Sequence, residues 1–495
     1  MEGEICRKAN REFGLNKQQN AENNYTGLPT AAELRNALAK VSATDAMARI
    51  KSLFDADTFV ELWAYTKRSF NEVQAGAKDE EFAGVICGYG AVCGQLVFAF
   101  AQDGARMKGA LDEAHAKKIC ALYDMAIKNG APVVGIFDCA GADIFEGVAA
   151  LAGYGKIMAA VSSASGVIPQ LAWVSGNCLG SFAAITAMYD VLVCEKGAKL
   201  YVNSDTLTGA KDAQAALKAY DAENGEAAAA YVRRAITLLP QNSEEGVVVD
   251  ACADDLNRQL GELELDGDVH AILSAIADSG DYLELGAANA PEMVTALARI
   301  GGVKCGVLAN AYTENEGKLT AAGARKAARF VSLCDAFSLP LVTLVNSTGF
   351  AVCRENENAA FAAELGKLAM AYTQSENAKI TVVLGHAIGG AFTLLGSKSV
   401  GADVAYAFEG AEIGAMNAAA AVAFAKNNEV SSTVSREELE EEWKLKLSSP
   451  VAAASAGEID DIIDCAELRQ RICSALMLLA AKGTVSTYRH SVLPL

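Results

Sequence analysis

The sequence predicts an α/β fold built from two duplicated domains, each with a mostly parallel sheet and crossover helices. Three observations carry that prediction. The chain has 495 residues, of which 52% are hydrophobic and 21% charged, enough apolar material for two cores of ordinary domain size. Four sequence patterns recur in the same order in both halves, the mark of an internal repeat. Within each half, short apolar runs alternate with stretches of helical spacing, and such strand–helix–strand crossovers pair strands in parallel.

The first repeated element is Ala46–Leu62 against Val269–Leu285, a helical stretch followed by a short strand. The second is the strand Cys93–Phe100 against Cys305–Tyr312. The third is a helix and a buried strand. Ile119, Leu122, Tyr123, Ala126 and Ile127 in the first half, and Phe330, Leu333, Cys334 and Phe337 in the second, fall on one helical face. Gly130 and Pro340 stop the two helices. The strands Pro132–Phe137 and Leu341–Val345 follow, ending in Asp138-Cys139-Ala140-Gly141 and Asn346-Ser347-Thr348-Gly349. The fourth element is a strand, a glycine turn and a small-residue helix: Ala172–Phe182 matches Val382–Phe392, and short strands at Tyr189–Val193 and Ala402–Tyr406 follow. Asp124 and Asp335 lie 211 residues apart, Asp138 and Asn346 208, and Gly180 and Gly389 209; the first element is displaced by 223. The repeat divides the chain into domains 1–255 and 256–495, with the boundary in the polar stretch between Leu239 and Asp266.

A net charge of −19 at pH 7 argues against a phosphate-tracking surface, so nucleic acid is not an expected partner. The 13 cysteines form no CxxC pair, which removes a zinc ribbon or a redox motif, and no metal site is expected. Cys87, Cys120, Cys194 and Cys334 sit in apolar segments and read as small core residues. The N-terminal residues carry no secretory pattern and no run of about 18 apolar residues occurs. The expected setting is reducing and cytoplasmic. There is no P-loop, no HExxH and no GxSxG elbow. Gly88-Tyr89-Gly90 followed by Gly94 mimics a dinucleotide fingerprint but opens no helix. His115, His270, His386 and His490 are scattered; His386 alone lies near a glycine turn, where a structural role is the more common one.

What remains are the glycine turns. A turn from strand to helix exposes backbone N–H groups that have no partner within the helix, and such groups can hold an anion or a developing oxyanion. Gly141 and Gly180-Ser181 form these turns in the first half; Gly349 and Gly389-Gly390-Ala391 form them in the second. Tight packing is the competing explanation for any one of them, but four at duplicated positions point to a site.

The residues of several segments carry a family resemblance. Gly84–Gly90, Phe98–Asp103, Glu113–Cys120, Gly147–Ile157, Ser165–Gln170, Phe330–Pro340, Gly401–Ala407 and Ala411–Ile413 together resemble the carboxyltransferase subunits of biotin-dependent acyl-CoA carboxylases and decarboxylases. The resemblance spans about residues 45–490 and implies two crotonase-like domains. It implies transfer of a carboxyl group between carboxybiotin and a short acyl-CoA, with the biotin ureido nitrogen taking the α-proton and no side-chain base required. By resemblance, the amides of Gly180 and Ser181 serve the thioester oxyanion and those of Gly390 and Ala391 serve biotin. Gly141, Ala142, Gly349, Phe350, Gly389 and Thr393 line the substrate sites, Thr393 at the position that tunes acyl length. The resemblance further implies a homo- or hetero-oligomer with active sites at subunit interfaces. Biotin then arrives on a separate carrier protein, with a biotin carboxylase or a membrane decarboxylase subunit as further partner. The sequence leaves open the direction of transfer, the acyl group and the oligomer order.

The chain departs from the family at several points. It reads Cys139-Ala140-Gly141-Ala142-Asp143 where the family has Ser-Gly-Gly-Ala-Arg, Ser181 where the family has a second glycine, and Ala351-Val352-Cys353-Arg354 in place of a Pro-Gly turn. The loop Tyr201–Ala230 is short. These changes admit an alternative, a catalytically weak paralogue that scaffolds an active subunit. A crotonase-type hydratase is a third reading, with Glu146 as its one candidate carboxylate. Arg106, Lys108, Arg325, Lys326 and Arg329 are candidates for CoA phosphates, set against the plainer reading of a solvated helix face.

Overall fold

The computed structural model describes residues 30–68, 82–209 and 214–482; His490 and part of the Tyr201–Ala230 loop lie outside them. Two eight-stranded sheets repeat one plan. The first comprises β1 (Val60–Leu62), β2 (Val85–Val92), β3 (Gln95–Gln102), β4 (Val133–Cys139), β5 (Gln170–Leu179), β6 (Val191–Glu195), β7 (Lys199–Tyr201) and β8 (Tyr220–Ala222). The second comprises β9 (Tyr282–Glu284), β10 (Met293–Ile300), β11 (Val303–Asn310), β12 (Leu341–Ser347), β13 (Lys379–Ile388), β14 (Val404–Phe408), β15 (Glu412–Gly414) and β16 (Asp461–Ile463). The orders are β1-β2-β3-β4-β5-β6-β8 and β9-β10-β11-β12-β13-β14-β16, with β7 and β15 paired beside the ends of β5 and β13.

Pairing from β3 to β8 and from β11 to β16 is parallel, as expected. The opening three strands of each sheet are antiparallel instead. Two-residue turns explain this: Cys93-Gly94 at φ 49° and 80°, and Gly301-Gly302 at 61° and 81°, supply the left-handed pair that closes a tight hairpin.

The main helices connect the parallel strands or flank the ends of each sheet's run. In the first half these are α1 (Asp45–Leu53), α2 (Glu113–Asn129), α3 (Val148–Ala164), α4 (Ser181–Thr186) and α5 (Gly225–Leu238). In the second half they are α6 (Val269–Ile276), α7 (Ala321–Ala336), α8 (Phe361–Gln374), α9 (Gly389–Leu394) and α10 (Leu468–Leu479). Asp112 caps α2 by accepting from His115 N–H at 2.7 Å, and Thr320 caps α7 by accepting from Gly323 N–H at 2.9 Å.

These caps sit 208 residues apart, as do Pro132 and Pro340, so the repeat runs at 208 through this region. The offset of 211 read from Asp124 and Asp335 is therefore not kept; at 208, Asp124 corresponds to Ser332. The strands β5 and β13 begin at Gln170 and Lys379, which sets the fourth element at 209 and makes Gly180 equivalent to Gly389.

Apolar side chains fill three layers. One lies within the first half, around Phe100, Phe137, Phe182 and Tyr189. One lies within the second, around Leu273, Ile472 and Leu476. The third is shared: Trp173, Val232 and Ile236 from the first half join Leu297, Phe330, Leu333 and Phe337 from the second. Each large side chain buried this way is worth roughly 2–5 kcal/mol against truncation to alanine. Between α5 and α6, residues 239–268 form no helix or strand, and the expected boundary falls inside this segment. Within it Val249 bridges to Val303 at the edge of the second sheet, as Lys304 N–H donates to Val248 O at 3.0 Å and Asp250 N–H to Gly302 O at 2.7 Å.

Candidate active site

The turns after β4 and β12 are built alike. Gly141 and Gly349 take φ 129° and 125°, a conformation that side-chain-bearing residues rarely adopt. Gly141 N–H lies 3.4 Å from Cys139 Sγ, which donates back to Gly141 O at 3.2 Å. In the second half Ser347 Oγ makes both contacts with Gly349 at 3.3 Å. Each turn is then stitched to the chain ahead of its helix. Leu111 N–H donates to Gly141 O at 2.9 Å and Asp143 N–H to Leu111 O at 2.8 Å; Leu319 with Gly349 and Ala351 repeats this at 2.9 Å. The residue skipped by each stitch, Ala142 or Phe350, points its N–H the other way, and among the described residues neither amide makes a hydrogen bond.

The turns after β5 and β13 lie beside these, at the carboxyl ends of neighbouring parallel strands, where open α/β sheets bind ligands. A bulge opens the space: two steps along β4, from Phe137 to Cys139, face four along β5, from Val174 to Cys178, and Val345–Ser347 faces Val383–Ala387 likewise. Asp138 fills the first gap, its Oδ1 accepting from Asn177 N–H at 2.9 Å; Asn346 fills the second, its Oδ1 accepting from His386 N–H at 2.8 Å. Gly104 and Gly176 make room for Asp138, since a Cβ on either would come within 2.2 Å of its carboxylate.

Gly180 and Gly389 turn at φ 62° and 66° and lead into α4 and α9, whose first-turn amides have no acceptor within the helix. Ser181 and Gly390 occupy equivalent places. One expected donor is engaged within the chain. Gly180 N–H donates to Tyr201 O at 3.0 Å, because β7 pairs with the end of β5. Ala391 is fully buried and corresponds to Phe182, and its amide is one of the first-turn amides of α9. Thr393 lies exposed on α9.

Room remains beside the turns. A Cβ on Gly141 or Gly180 would meet nothing within 4 Å, and one on Gly389 would meet only Ala415 O, at 3.5 Å. At Gly390 a Cβ would press to 2.9 Å against the ring of Phe350, which is braced edge-on by Phe361 at 5.6 Å. The turns of the first half therefore stand open, whereas in the second half Phe350 lies against Gly390 and forms an aromatic wall.

No activated nucleophile stands at these turns. Burial pushes the Cys139 thiol up to about 12 and raises Cys178 as well, so both are thiols at neutral pH. His386 stacks on Tyr312 at 5.3 Å with Nδ1 3.8 Å from Glu412 Oε2. Glu146 accepts from Glu113 N–H at 2.7 Å and so holds the start of α2, and burial raises its carboxyl. Arg106 pairs with Asp103 at 3.1 Å, and Lys108 is exposed in a left-handed turn.

One arrangement could not be anticipated from sequence. Asp143, which stands where the resemblance expects an arginine, is buried against Arg68, and the same guanidinium pairs with Asp112 at 2.7 Å. The charge change is thus the acidic half of a buried clamp behind the Gly141 turn. Arg68 lies 75 residues from Asp143 in the chain, and no local signal links them.

Comparison with known proteins agrees with this geometry. The carboxyl transferase domain family matches residues 43–492. The methylmalonyl-CoA decarboxylase subunit alpha of Propionigenium modestum is 33% identical over 94% of this chain and 95% of its own length. The methylmalonyl-CoA carboxyltransferase 12S subunit of Propionibacterium freudenreichii subsp. shermanii is 34% identical over 88% of each. The crystal structure of transcarboxylase 12S, a hexamer with methylmalonyl-CoA and methylmalonic acid bound, superposes with a TM-score of 0.84 at 30% identity, covering 93% of this chain and 95% of that one. The duplicated crotonase-like architecture expected from the sequence is borne out. With one family spanning nearly the whole chain and relatives matched end to end, the protein belongs to the carboxyl transferase domain family.

Proposed function

We propose that this chain moves a carboxyl group between biotin, carried on a separate protein, and a short acyl-CoA. The thioester oxygen rests on the amides of Ala142 and Ser181, and the biotin ureido oxygen on those of Phe350 and Gly390. Gly141, Gly180, Gly349 and Gly389 shape the turns that aim these groups. The observation that carries the reading is the pair of unbonded amides at Ala142 and Phe350, 208 residues apart and each beside a glycine turn. An amide that strengthens its bond as charge develops on an oxygen stabilises the transition state more than the ground state, by about 3–4 kcal/mol for one such donor.

Biotin, when bound, supplies the carboxyl carrier and the ureido nitrogen that exchanges the α-proton. The protein's own residues hold and orient. Open space at Gly141 and Gly180 admits the thioester, while the Phe350 ring offers a flat wall to a bicyclic ring. The thiols of Cys139 and Cys178 stay neutral beside the cradle, so they do not compete with the carboxyl acceptor. On this proposal Thr393, exposed on α9, meets the acyl group of a neighbouring subunit's substrate. In this reading the protein acts in the cytoplasm as an oligomer whose sites form between subunits, with a biotin carrier and either a biotin carboxylase or a membrane decarboxylase subunit. Transcarboxylase 12S is a hexameric core of a multienzyme complex, which supports assembly of this kind. The departures at Asp143 and Ser181 do not favour the scaffold alternative: Asp143 has its partner in Arg68, and Ser181 keeps its amide.

The test is carboxyl exchange between methylmalonyl-CoA or malonyl-CoA and a biotinylated carrier protein, catalysed by the purified chain. Exchange above the uncatalysed rate is expected with at least one of the two; none with either would leave the scaffold reading in its place.

A further inference from the structure

Three basic residues that the sequence offered for CoA phosphates do something else. Arg325, Lys326 and Arg329, on one face of α7, line a cavity of about 160 Å³ between the two halves of the chain, and Arg329 reaches across to the first half. In the first half this cavity touches the amino end of β6, at Asp190 and Leu192, the opposite end of the sheet from the glycine turns. Its walls are apolar, formed by Leu192, Leu285, Phe330 and Leu333.

Two of its cations lack a counter-charge in contact. Arg329 Nη2 donates to the carbonyls of Tyr189 and Asp190 at 2.6 and 3.4 Å, while its Nε and Nη1 are shielded from solvent and make no hydrogen bond. Lys326 Nζ donates to the carbonyls of Gly286 and Asn289, both at 2.8 Å. Among the described residues no carboxylate lies within 4.0 Å of either cation, whereas the neighbouring Arg325 and Lys218 have Glu364 at 3.3 Å and Asp221 at 2.9 Å. Asp190 is the one acid in the lining. Its Oδ2 accepts from Gln170 N–H at 2.8 Å and its Oδ1 has no partner. Neither cation therefore has a carboxylate in contact: Asp190 acts on Arg329, and Glu284 and Glu292 act on Lys326, only from beyond ion-pair distance, and a buried charge without a counter-charge in contact is costly. Burial accordingly lowers Lys326 to about 8 and Arg329 to about 10.

We propose that this cavity is a second ligand site that takes a small organic anion with an aliphatic body, a short-chain carboxylate by its chemistry. The carboxylate meets the ammonium of Lys326 and lies beside the Arg329 guanidinium, supplying the negative charge that neither cation has in contact. The chain lies against Leu192, Leu285, Phe330 and Leu333. A divalent phosphate would leave the apolar walls uncovered. The site does not depend on the reading of the glycine turns. Because its walls come from both halves, its occupant would bind them to one another.

The test is titration calorimetry of the full chain with sodium hexanoate, with inorganic phosphate and CoA as controls. Saturable binding of one hexanoate per chain is expected, weakened at least about tenfold by Arg329→Met and by Lys326→Met. Ala322 is exposed at the mouth on α7, so Ala322→Trp should block hexanoate while leaving carboxyl exchange unchanged, even if the buried variants fold poorly. Absence of saturable binding, or equal affinity in Ala322→Trp, overturns the proposal. So does displacement of hexanoate by CoA, which would place it in the acyl-CoA cradle. Phosphate binding of equal strength and equal sensitivity to Ala322→Trp would overturn the assignment of an aliphatic ligand.

Discussion

The two halves share a backbone and differ in what they hang on it. The first sets Ala142 and Ser181 around its unbonded amide; the second sets Phe350 and Gly390. Behind the first turn stands a charged clamp, Arg68 with Asp112 and Asp143. Behind the second the equivalent positions are Thr320 and Ala351. A neutral amide does the work there: Asn356 accepts from Ala321 N–H at 3.1 Å and donates to Ala351 O at 3.0 Å. Even the acids that start β6 and β14 diverge. Asp190 and Asp403 each accept from the strand beside them at 2.8 Å, but Asp403 has Lys482 at 2.9 Å while Asp190 is buried without a touching cation. Register and glycine conformation thus preserve where an amide points, and the side chains are left free to decide what may approach it.

The contrast should break first at the clamps. Arg68→Met leaves two buried carboxylates without their cation and should cost about 3–5 kcal/mol of stability, while Asn356→Ala should cost about 1–2 kcal/mol. Urea denaturation measures both, and equal losses would mean that the charge carries no special burden. Next come the amides. Gly390→Pro removes one N–H from the second site without adding a hydrogen-bonding side chain, and exchange should fall by about 10²–10³-fold with an unchanged far-UV spectrum; full activity would remove that turn from the chemistry.

The unequal aspartates give a pH signature. Burial, only partly offset by Arg329 and Gln170, lifts the Asp190 carboxyl from 3.8 to about 6. A carboxyl raised on folding contributes stability that is complete below the unfolded value and is lost as pH rises through the folded one. Relative to Asp190→Asn, the natural protein should therefore lose about 2 kcal/mol between pH 4 and pH 7. A difference that stays flat in denaturation series across that window would place Asp190 in a more polar setting than it occupies. The smallest effect is expected at Ser181→Gly, which gives the first turn the bare backbone of the second. Exchange kinetics should show a change in KM for acyl-CoA of no more than about tenfold, or roughly 1.4 kcal/mol, with kcat little altered, because the amide is retained.

The architecture was legible because its punctuation is chemical. Pro132 and Pro340, Gly141 and Gly349, and Gly180 and Gly389 mark backbone positions few other residues can take, so they survive divergence and expose the repeat. The helix aspartates Asp124 and Asp335 misled for the opposite reason: they do different things, Asp124 facing solvent while Asp335 is half-buried and accepts from Glu376 N–H, so matching them slipped the register by three. At the site, the glycines announced where the turns are but not which amides stay free. That depends on β7 returning beside β5 to claim the Gly180 N–H through Tyr201, a long-range pairing no local pattern encodes. Ala142 and Phe350 were placed at the substrate by resemblance alone, and the stitch to Leu111 and Leu319 that frees their amides appears only in three dimensions. Arg68 and Asp143 were unreadable as a pair, and Asp143 looked like a lost site residue until its partner was found.

The shared apolar layer has a consequence for how such a protein can change. Trp173 and Ile236 rest on the same core as Phe330 and Phe337, so taking either copy of the repeat away would wet one of the two apolar layers of the other. Each copy can specialise on its own surface, yet each relies on the other to keep that shared layer dry.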